Sequence, residues 1–282
     1  MFRPLLRLYA HLPLWLLHGL GTVLGWAIYG MSPTYRSNLR QNLQRAGYGE
    51  ARVRRAAIAH AGRLVAETPA IWLRPQERVA ALVREVRGRA AIDAARAAGK
   101  ALLFLTPHMG CFEITAQWAA QRMAITVLYR PPKLAWLDPL MRAGRSRGGM
   151  RLAPADARGV REVLAALKRR EAVGFLPDQV PGEGEGEWAQ FFGELAYTGT
   201  FAPRLAQRAD LACLLAYAER LPRGTGYRLQ FRPLPSRVPG ESAVRHLNRA
   251  LEDLVRECPG QYLWGYNRYK TPAGAKPKPA AA

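Results

Sequence analysis

Between Arg7 and Arg36 the chain carries no Asp, Glu, Lys or Arg. The apolar part of this stretch takes in His11–Leu20 and runs to Met31, long enough to cross a bilayer, for which about 20 residues are needed. Trp15, Trp26 and Tyr29 lie toward its ends, where aromatic rings suit a membrane interface. His11, Pro13, His18 and several glycines interrupt it, so a buried helix of a soluble domain is the alternative. No small-residue cleavage site of the signal-peptide type accompanies it, and the segment is expected to be retained. Arg36, Arg40, Arg45, Arg52, Arg54 and Arg55 follow the stretch, against Arg3 and Arg7 before it. That asymmetry places the main domain on the cytoplasmic side. Residues 1–35 are therefore expected to form a membrane anchor.

The rest of the 282 residues can bury one large α/β core. Hydrophobic residues make up 49% of the chain, too few for a polytopic membrane protein and too many for a disordered one. Cys111, Cys213 and Cys258 are sparse, with no CxxC or Cys/His metal spacing, which fits a reducing compartment. The net charge of +21 attracts anions: lipid headgroups, phosphorylated substrates, acidic carrier proteins or nucleic acid. No groove-reading or base-stacking module is visible, which argues against nucleic acid.

Hydrophobic periodicity predicts helices over residues 34–47, 50–72, 90–98, 111–122, 157–170, 203–209 and 243–256. Strands are predicted over 101–106, 124–129, 172–176, 211–218 and 227–233, with 79–86 extended. This alternation specifies an α/β fold with a mixed, largely parallel sheet flanked by helices, a single domain spanning 36–272. Gly182–Trp188 reads as a flexible acidic loop, since it lacks the Lys and Ser/Thr of a phosphate-binding loop. The tail, 273–282, is basic and reads as disordered.

The chemistry gathers behind the first greasy strand. Ala101–Thr106 is followed by Pro107 and then by His108-Met109-Gly110-Cys111-Phe112-Glu113. Sites in open α/β sheets collect at the carboxyl ends of strands. A neutral imidazole there accepts a proton near pH 7, and a carboxylate can orient it and balance its charge. A His and a Glu five apart do not share one face of a regular helix, so they converge only if His108 sits on the loop before the helix. Taken alone, an H-x4-E spacing is more often a packed His and a helix-terminal Glu.

Its surroundings carry more. Thr106–Glu113 resembles the H-x4-D/E motif of glycerolipid-type acyltransferases. More closely, it resembles that of the lipid A biosynthesis late (lauroyl/myristoyl) acyltransferases. Leu128-Tyr129-Arg130-Pro131 is similar to that family's Tyr-Arg-Pro element. Ala172–Gln179 and Phe191-Phe192-Gly193 are similar to its Asp-Gln and Phe-Phe-Gly blocks. Gln261-Tyr262-Leu263-Trp264 and Arg268-Tyr269-Lys270 resemble its C-terminal signature. Two segments depart from it: Pro132–Ala135, where an Asn is common, and the Gly/Glu-rich 181–188.

The resemblance implies transfer of an acyl chain from a thioester to a hydroxyl of a 3-hydroxyacyl chain on a phosphorylated glucosamine disaccharide. His108 would be the general base and Glu113 its orienter. Arg130 would serve the oxyanion or an acceptor phosphate, and Asp178 and Gln179 would position Arg130 or a sugar. No metal or bound cofactor is implied. The co-substrate would be an acyl carrier protein or coenzyme A thioester, with an acidic carrier protein the expected partner. The expected location is the inner membrane, with the catalytic domain facing the cytoplasm. Cys111 is expected to be a small buried helix residue rather than a nucleophile. The basic run Arg142, Arg145, Arg147, Arg151, Arg158, Arg161 and Lys168-Arg169-Arg170 would hold phosphates, dock the carrier protein, or form a solvated face. The alternatives are the same chemistry on a phospholipid, glycolipid or aminolipid, and a non-catalytic basic protein of the membrane surface.

Overall fold

The computed structural model describes residues 2–132, 134–182, 184–275 and 277–279. The chain begins with α1 (Phe2–Ala10), α2 (Leu14–Met31), α3 (Pro33–Arg45), α4 (Ala51–Leu73) and α5 (Gln76–Ala80). Strand β1 (Val83–Arg87), α6 (Arg89–Ala97), β2 (Ala101–Leu105), α7 (Phe112–Ala120) and β3 (Ile125–Tyr129) follow. Then come α8 (Asp138–Arg145), β4 (Met150–Pro154), α9 (Ala157–Lys168) and β5 (Ala172–Phe175). The last elements are β6 (Gly186–Phe191), β7 (Glu194–Gly199), α10 (Phe201–Leu205), β8 (Leu211–Arg220), β9 (Tyr227–Pro233) and α11 (Ala243–Glu257).

Seven strands form one sheet in the order β1-β9-β8-β2-β5-β3-β4, and only the β8–β9 hairpin is antiparallel. The α/β class and the mixed, largely parallel sheet are those expected. The five residues of β2 are all buried, as a strand covered on both faces must be, and their unbroken Ala-Leu-Leu-Phe-Leu run follows from that position. Local chemistry starts the helices. The Ser32 hydroxyl accepts from the Tyr35 N–H with Pro33 in the first turn of α3, and Asp156 accepts from the N–H groups of Arg158 and Gly159 at the start of α9.

Some elements differ from the expected ones. Residues 79–86 are not extended throughout: Pro75 opens the short α5, whose Val79 is buried, before β1 begins. Helix α8, strand β4 and the β6–β7 hairpin were not foreseen. Gly186–Trp188 belongs to β6 rather than to a loop, paired with β7 across Phe192-Gly193. Both turn residues have positive φ, 49° and 79°, as a type I′ hairpin requires. The expected disordered tail includes Lys276 and residues 280–282, which lie outside the described residues.

Helix α2 is the one described helix long and apolar enough to cross a membrane. It is not detached from the domain. Leu14, Leu17, His18, Gly21, Gly25 and Tyr29 are buried, and the helix packs along α4. The backbones nearly touch: a Cβ on Gly62 of α4 would lie 1.9 Å from the Gly21 carbonyl oxygen and 2.4 Å from the Gly25 nitrogen. Beneath this contact the fully buried Glu67 carboxylate meets His18 Nε2 at 2.8 Å. It also accepts from Arg220 Nε at 2.8 Å and from the Tyr227 hydroxyl at 2.8 Å. Burial alone would raise the Glu67 pKa, but Arg220 and the hydrogen bonds bring it down to about 2.

Candidate active site

Strands β2, β5 and β3 are parallel neighbours. Their carboxyl ends therefore open on the same edge of the sheet, and His108, Asp178-Gln179 and Arg130 follow them in that order across the edge. Residues some seventy positions apart in sequence meet because β5 lies beside β2.

The loop that carries His108 is fixed at both ends. The Thr106 N–H donates to the Phe175 carbonyl, the Gly110 N–H to the Gln261 carbonyl and the Cys111 N–H to the Ala218 carbonyl. Leu263 N–H donates to the His108 carbonyl, so the C-terminal Gln261–Trp264 segment is a strap over the loop. Gly110 has φ 57°, and a Cβ there would sit 1.9 Å from the Ala218 carbonyl oxygen. Only glycine meets both conditions.

His108 is held by Asp178. Its Nδ1 lies 2.7 Å from Asp178 Oδ1, and its backbone N–H donates to Oδ2 at 2.8 Å. A carboxylate facing Nδ1 fixes the tautomer with Nδ1 protonated and leaves the Nε2 lone pair facing outward. Phe112 packs edge-on against the imidazole, with ring centroids 5.0 Å apart. Burial disfavours the Asp178 carboxylate, but the facing imidazole and the hydrogen bonds from His108 prevail and lower its pKa below the usual aspartate range. Gln179 reaches the other ring nitrogen, its Nε2 lying 3.1 Å from His108 Nε2.

Glu113 lies in the first turn of α7 and is turned elsewhere. The Trp72 indole N–H donates to its Oε2 at 3.0 Å. Arg145 of α8 grips both its oxygens, Nε reaching Oε2 at 3.0 Å. Glu113 was expected to orient His108; the group placed to do so is Asp178, which was expected to serve Arg130 or a sugar. Against the opposing effect of burial, Glu113 holds the Arg145 guanidinium pKa above its usual value. Neither Trp72 nor this role of Arg145 was legible in the sequence, where Arg145 stood only as one cation of a basic run.

The other cations of that run are mostly engaged within the chain. Arg147 donates to the Ile71 and Arg74 carbonyls that end α4, Arg142 pairs with Asp138, Arg151 with Glu171, and Arg158 with Glu162. Arg130 is different. It is exposed at the cavity mouth, and among the described residues no carboxylate pairs with it. Cys111 is fully buried, and burial pushes its thiol pKa well above its usual value, so it is poorly suited to nucleophilic attack.

His108, Glu113, Arg130, Arg145 and Gln179 line one open cavity of about 380 Å³. A narrow apolar cleft of about 40 Å³ shares Phe112, Ala116, Val127, Phe175 and Leu176 with it. It runs inward between α7 and the sheet, past Gly174 and Ile125 to Phe104 and Phe231. The arrangement joins an oriented base and a polar mouth to a narrow apolar cleft. Among the described residues no group of His, Cys, Asp and Glu is placed to hold a metal ion.

Residues 4–271 match the family described as bacterial lipid A biosynthesis acyltransferase. Over 211 residues the chain is 30% identical to a lipid A biosynthesis lauroyltransferase of Escherichia coli (strain K12), covering 73% of this chain and 67% of the relative. Over 215 residues it is 29% identical to a lipid A biosynthesis palmitoleoyltransferase of the same strain, covering 74% and 69%. A lipid A biosynthesis acyltransferase of Haemophilus influenzae is 29% identical over 178 residues, covering 61% and 55%.

Proposed function

The chain belongs to the bacterial lipid A biosynthesis acyltransferase family and is an acyltransferase; from that premise we propose that it transfers a fatty acyl chain from an acyl carrier protein thioester to a hydroxyl of a 3-hydroxyacyl chain on a lipid A precursor. The observation that carries the mechanism is the contact between His108 Nδ1 and Asp178, which leaves Nε2 as the acceptor facing the cavity. In this reading Nε2 takes the proton of the acceptor hydroxyl as its oxygen attacks the thioester carbonyl. The C–O bond forms, the C–S bond breaks, and the departing thiolate recovers the proton from His108. Asp178 orients the ring and stabilises the imidazolium formed in between.

Gln179 donates to the developing oxyanion once substrate has displaced its amide from His108. Arg130 takes an acceptor phosphate, a role suited to an exposed guanidinium with a free bidentate edge. Glu113 acts through Arg145, fixing a cation that lines the same cavity as His108. The acyl tail lies in the apolar extension beneath α7. Catalysis faces the cytoplasm, where the acidic carrier protein meets a strongly basic surface.

The test uses purified acceptor and acyl carrier protein thioester. His108→Ala is expected to lower turnover by about 10²-fold or more, and a variant that retains near wild-type turnover overturns the mechanism. Mass spectrometry of lipid A from cells with and without the protein identifies the acceptor and the chain added. A change confined to phospholipids, glycolipids or aminolipids would move the assignment to that acceptor.

A further inference from the structure

We propose that α1 and α2 form a monotopic membrane-binding face that lies in the plane of one leaflet of an anionic bilayer, still docked on α4, and that α2 does not cross the membrane.

The first observation is how α2 is held. Its buried residues recur along its whole length, from Leu14 to Tyr29, and α4 is its main packing partner, met directly by His18, Gly21 and Gly25. If α2 crossed the bilayer in this arrangement, α4 would accompany it. Arg54, Arg55 and Arg63 would then enter the hydrocarbon layer, at a cost of about 3 kcal/mol for each at its centre. Detaching α2 instead would open the Gly21–Gly62–Gly25 backbone contact and strip His18 from the buried Glu67. Removing one partner from a buried charge is strongly destabilising.

The second observation is the sorting of side chains around α2. The polar ones turn inward: His18 meets Glu67, and the Thr22 hydroxyl donates to the His18 carbonyl and accepts from Arg63 Nε at 3.0 Å. The outward face shows Trp15, Leu20, Val23, Leu24, Trp26 and Met31, all exposed and none charged. Leu5 and Leu8 of α1 are exposed as well, with Arg7 between them. A contiguous exposed apolar face of this kind marks an interaction surface, and an aromatic and aliphatic face edged by arginine suits the headgroup–acyl boundary.

The third observation is charge. No Asp or Glu precedes Glu50. At the end of α2, Arg36 folds back to the Tyr29 and Gly30 carbonyls, and Arg40 Nε donates to the Tyr29 hydroxyl at 2.7 Å. The charged residues that flank the apolar face on α1 and α3 are thus all cations, the complement of an anionic lipid surface. Its α1 end abuts the cavity wall: Arg74, at the end of α4, donates to the Ala10 and Leu12 carbonyls, while Trp72, two residues earlier, donates to Glu113.

Single cysteines at Arg7 and Gln41, before and after α2, decide the topology. Each variant is labelled with a membrane-impermeant maleimide in right-side-out and in inverted inner-membrane vesicles, with the wild-type chain as blank. Both positions are expected to label in the same vesicle orientation; labelling from opposite sides overturns the proposal. The reading involves no turnover, so its failure would leave the acyl-transfer assignment standing. Val23→Glu with Trp26→Glu changes only exposed positions. On phosphatidylethanolamine/phosphatidylglycerol vesicles the double variant is expected to lose about tenfold or more in binding while keeping its melting temperature. Unchanged vesicle binding overturns the proposal, as does a lipid-free dimer that this variant breaks without affecting vesicle binding.

Discussion

At the scale of single residues, the site turns on which carboxylate faces His108. Asp178→Asn keeps the size of the side chain but lets an amide N–H face Nδ1, so the ring loses its preferred tautomer. Turnover is expected to fall by about 10²- to 10⁴-fold with little change in KM, measured in steady-state acyl transfer. The Asp178 pKa is depressed in the folded protein. The stability it contributes is therefore present above the ordinary aspartate range and is lost as pH falls through the folded value. Asp178→Asn accordingly flattens the acid limb of a denaturation series. Glu113→Gln acts differently, because it leaves the mostly buried Arg145 without its counter-charge. It is expected to cost about 3 kcal/mol of stability in urea titration, with a disordered cavity wall. The sequence displayed both carboxylates but not their partners. The five-residue spacing of His108 and Glu113 is visible in a linear chain, whereas the contact with Asp178 exists only once β5 lies beside β2.

At the scale of elements, most of what was legible had length or strong periodicity behind it. Strand β2 and helices α4, α9 and α11 follow from their hydrophobic patterns. Strand β4 and helix α8 did not, since five residues beginning Met150-Arg151 and eight residues containing three Gly or Arg give periodicity little to act on. The β6–β7 hairpin was hidden by its Gly/Glu-rich start. Its Phe-Phe-Gly signal was recognised as a motif without its meaning as a turn. The cleft between α7 and the sheet carries a prediction about chain length. A Cβ on Gly174 would lie 3.0 Å from Val127 Cγ1 and 3.7 Å from Ile125 Cδ1, both of which line the cleft, so a larger side chain there narrows it. Gly174→Val is expected to shift the product toward shorter acyl chains, read by mass spectrometry of the acylated lipid. An unchanged chain distribution would show that the tail lies elsewhere.

At the scale of the whole molecule, a strong net charge and an exposed apolar helix face occur together. The net charge of +21 acts over a Debye length of about 10 Å at 0.1 M salt, shrinking to about 3 Å at 1 M. Raising ionic strength is expected to raise KM for an acidic carrier protein severalfold while leaving kcat nearly constant; a KM that does not respond would argue that the donor docks without electrostatic help. The apolar stretch, so plain in the sequence, gave no sign that half its meaning lies in glycines, because close backbone approach is invisible until the partner helix is known. The contact of Gly21 and Gly25 with Gly62 has a practical consequence for anyone wishing to purify the enzyme without detergent. A chain cut to begin at Pro33 would not release a tidy soluble enzyme. It would bare the Ile58–Gly62–Arg63 side of α4 and leave Glu67 with one partner fewer, so such a truncation is expected to precipitate or melt well below the full chain in scanning calorimetry.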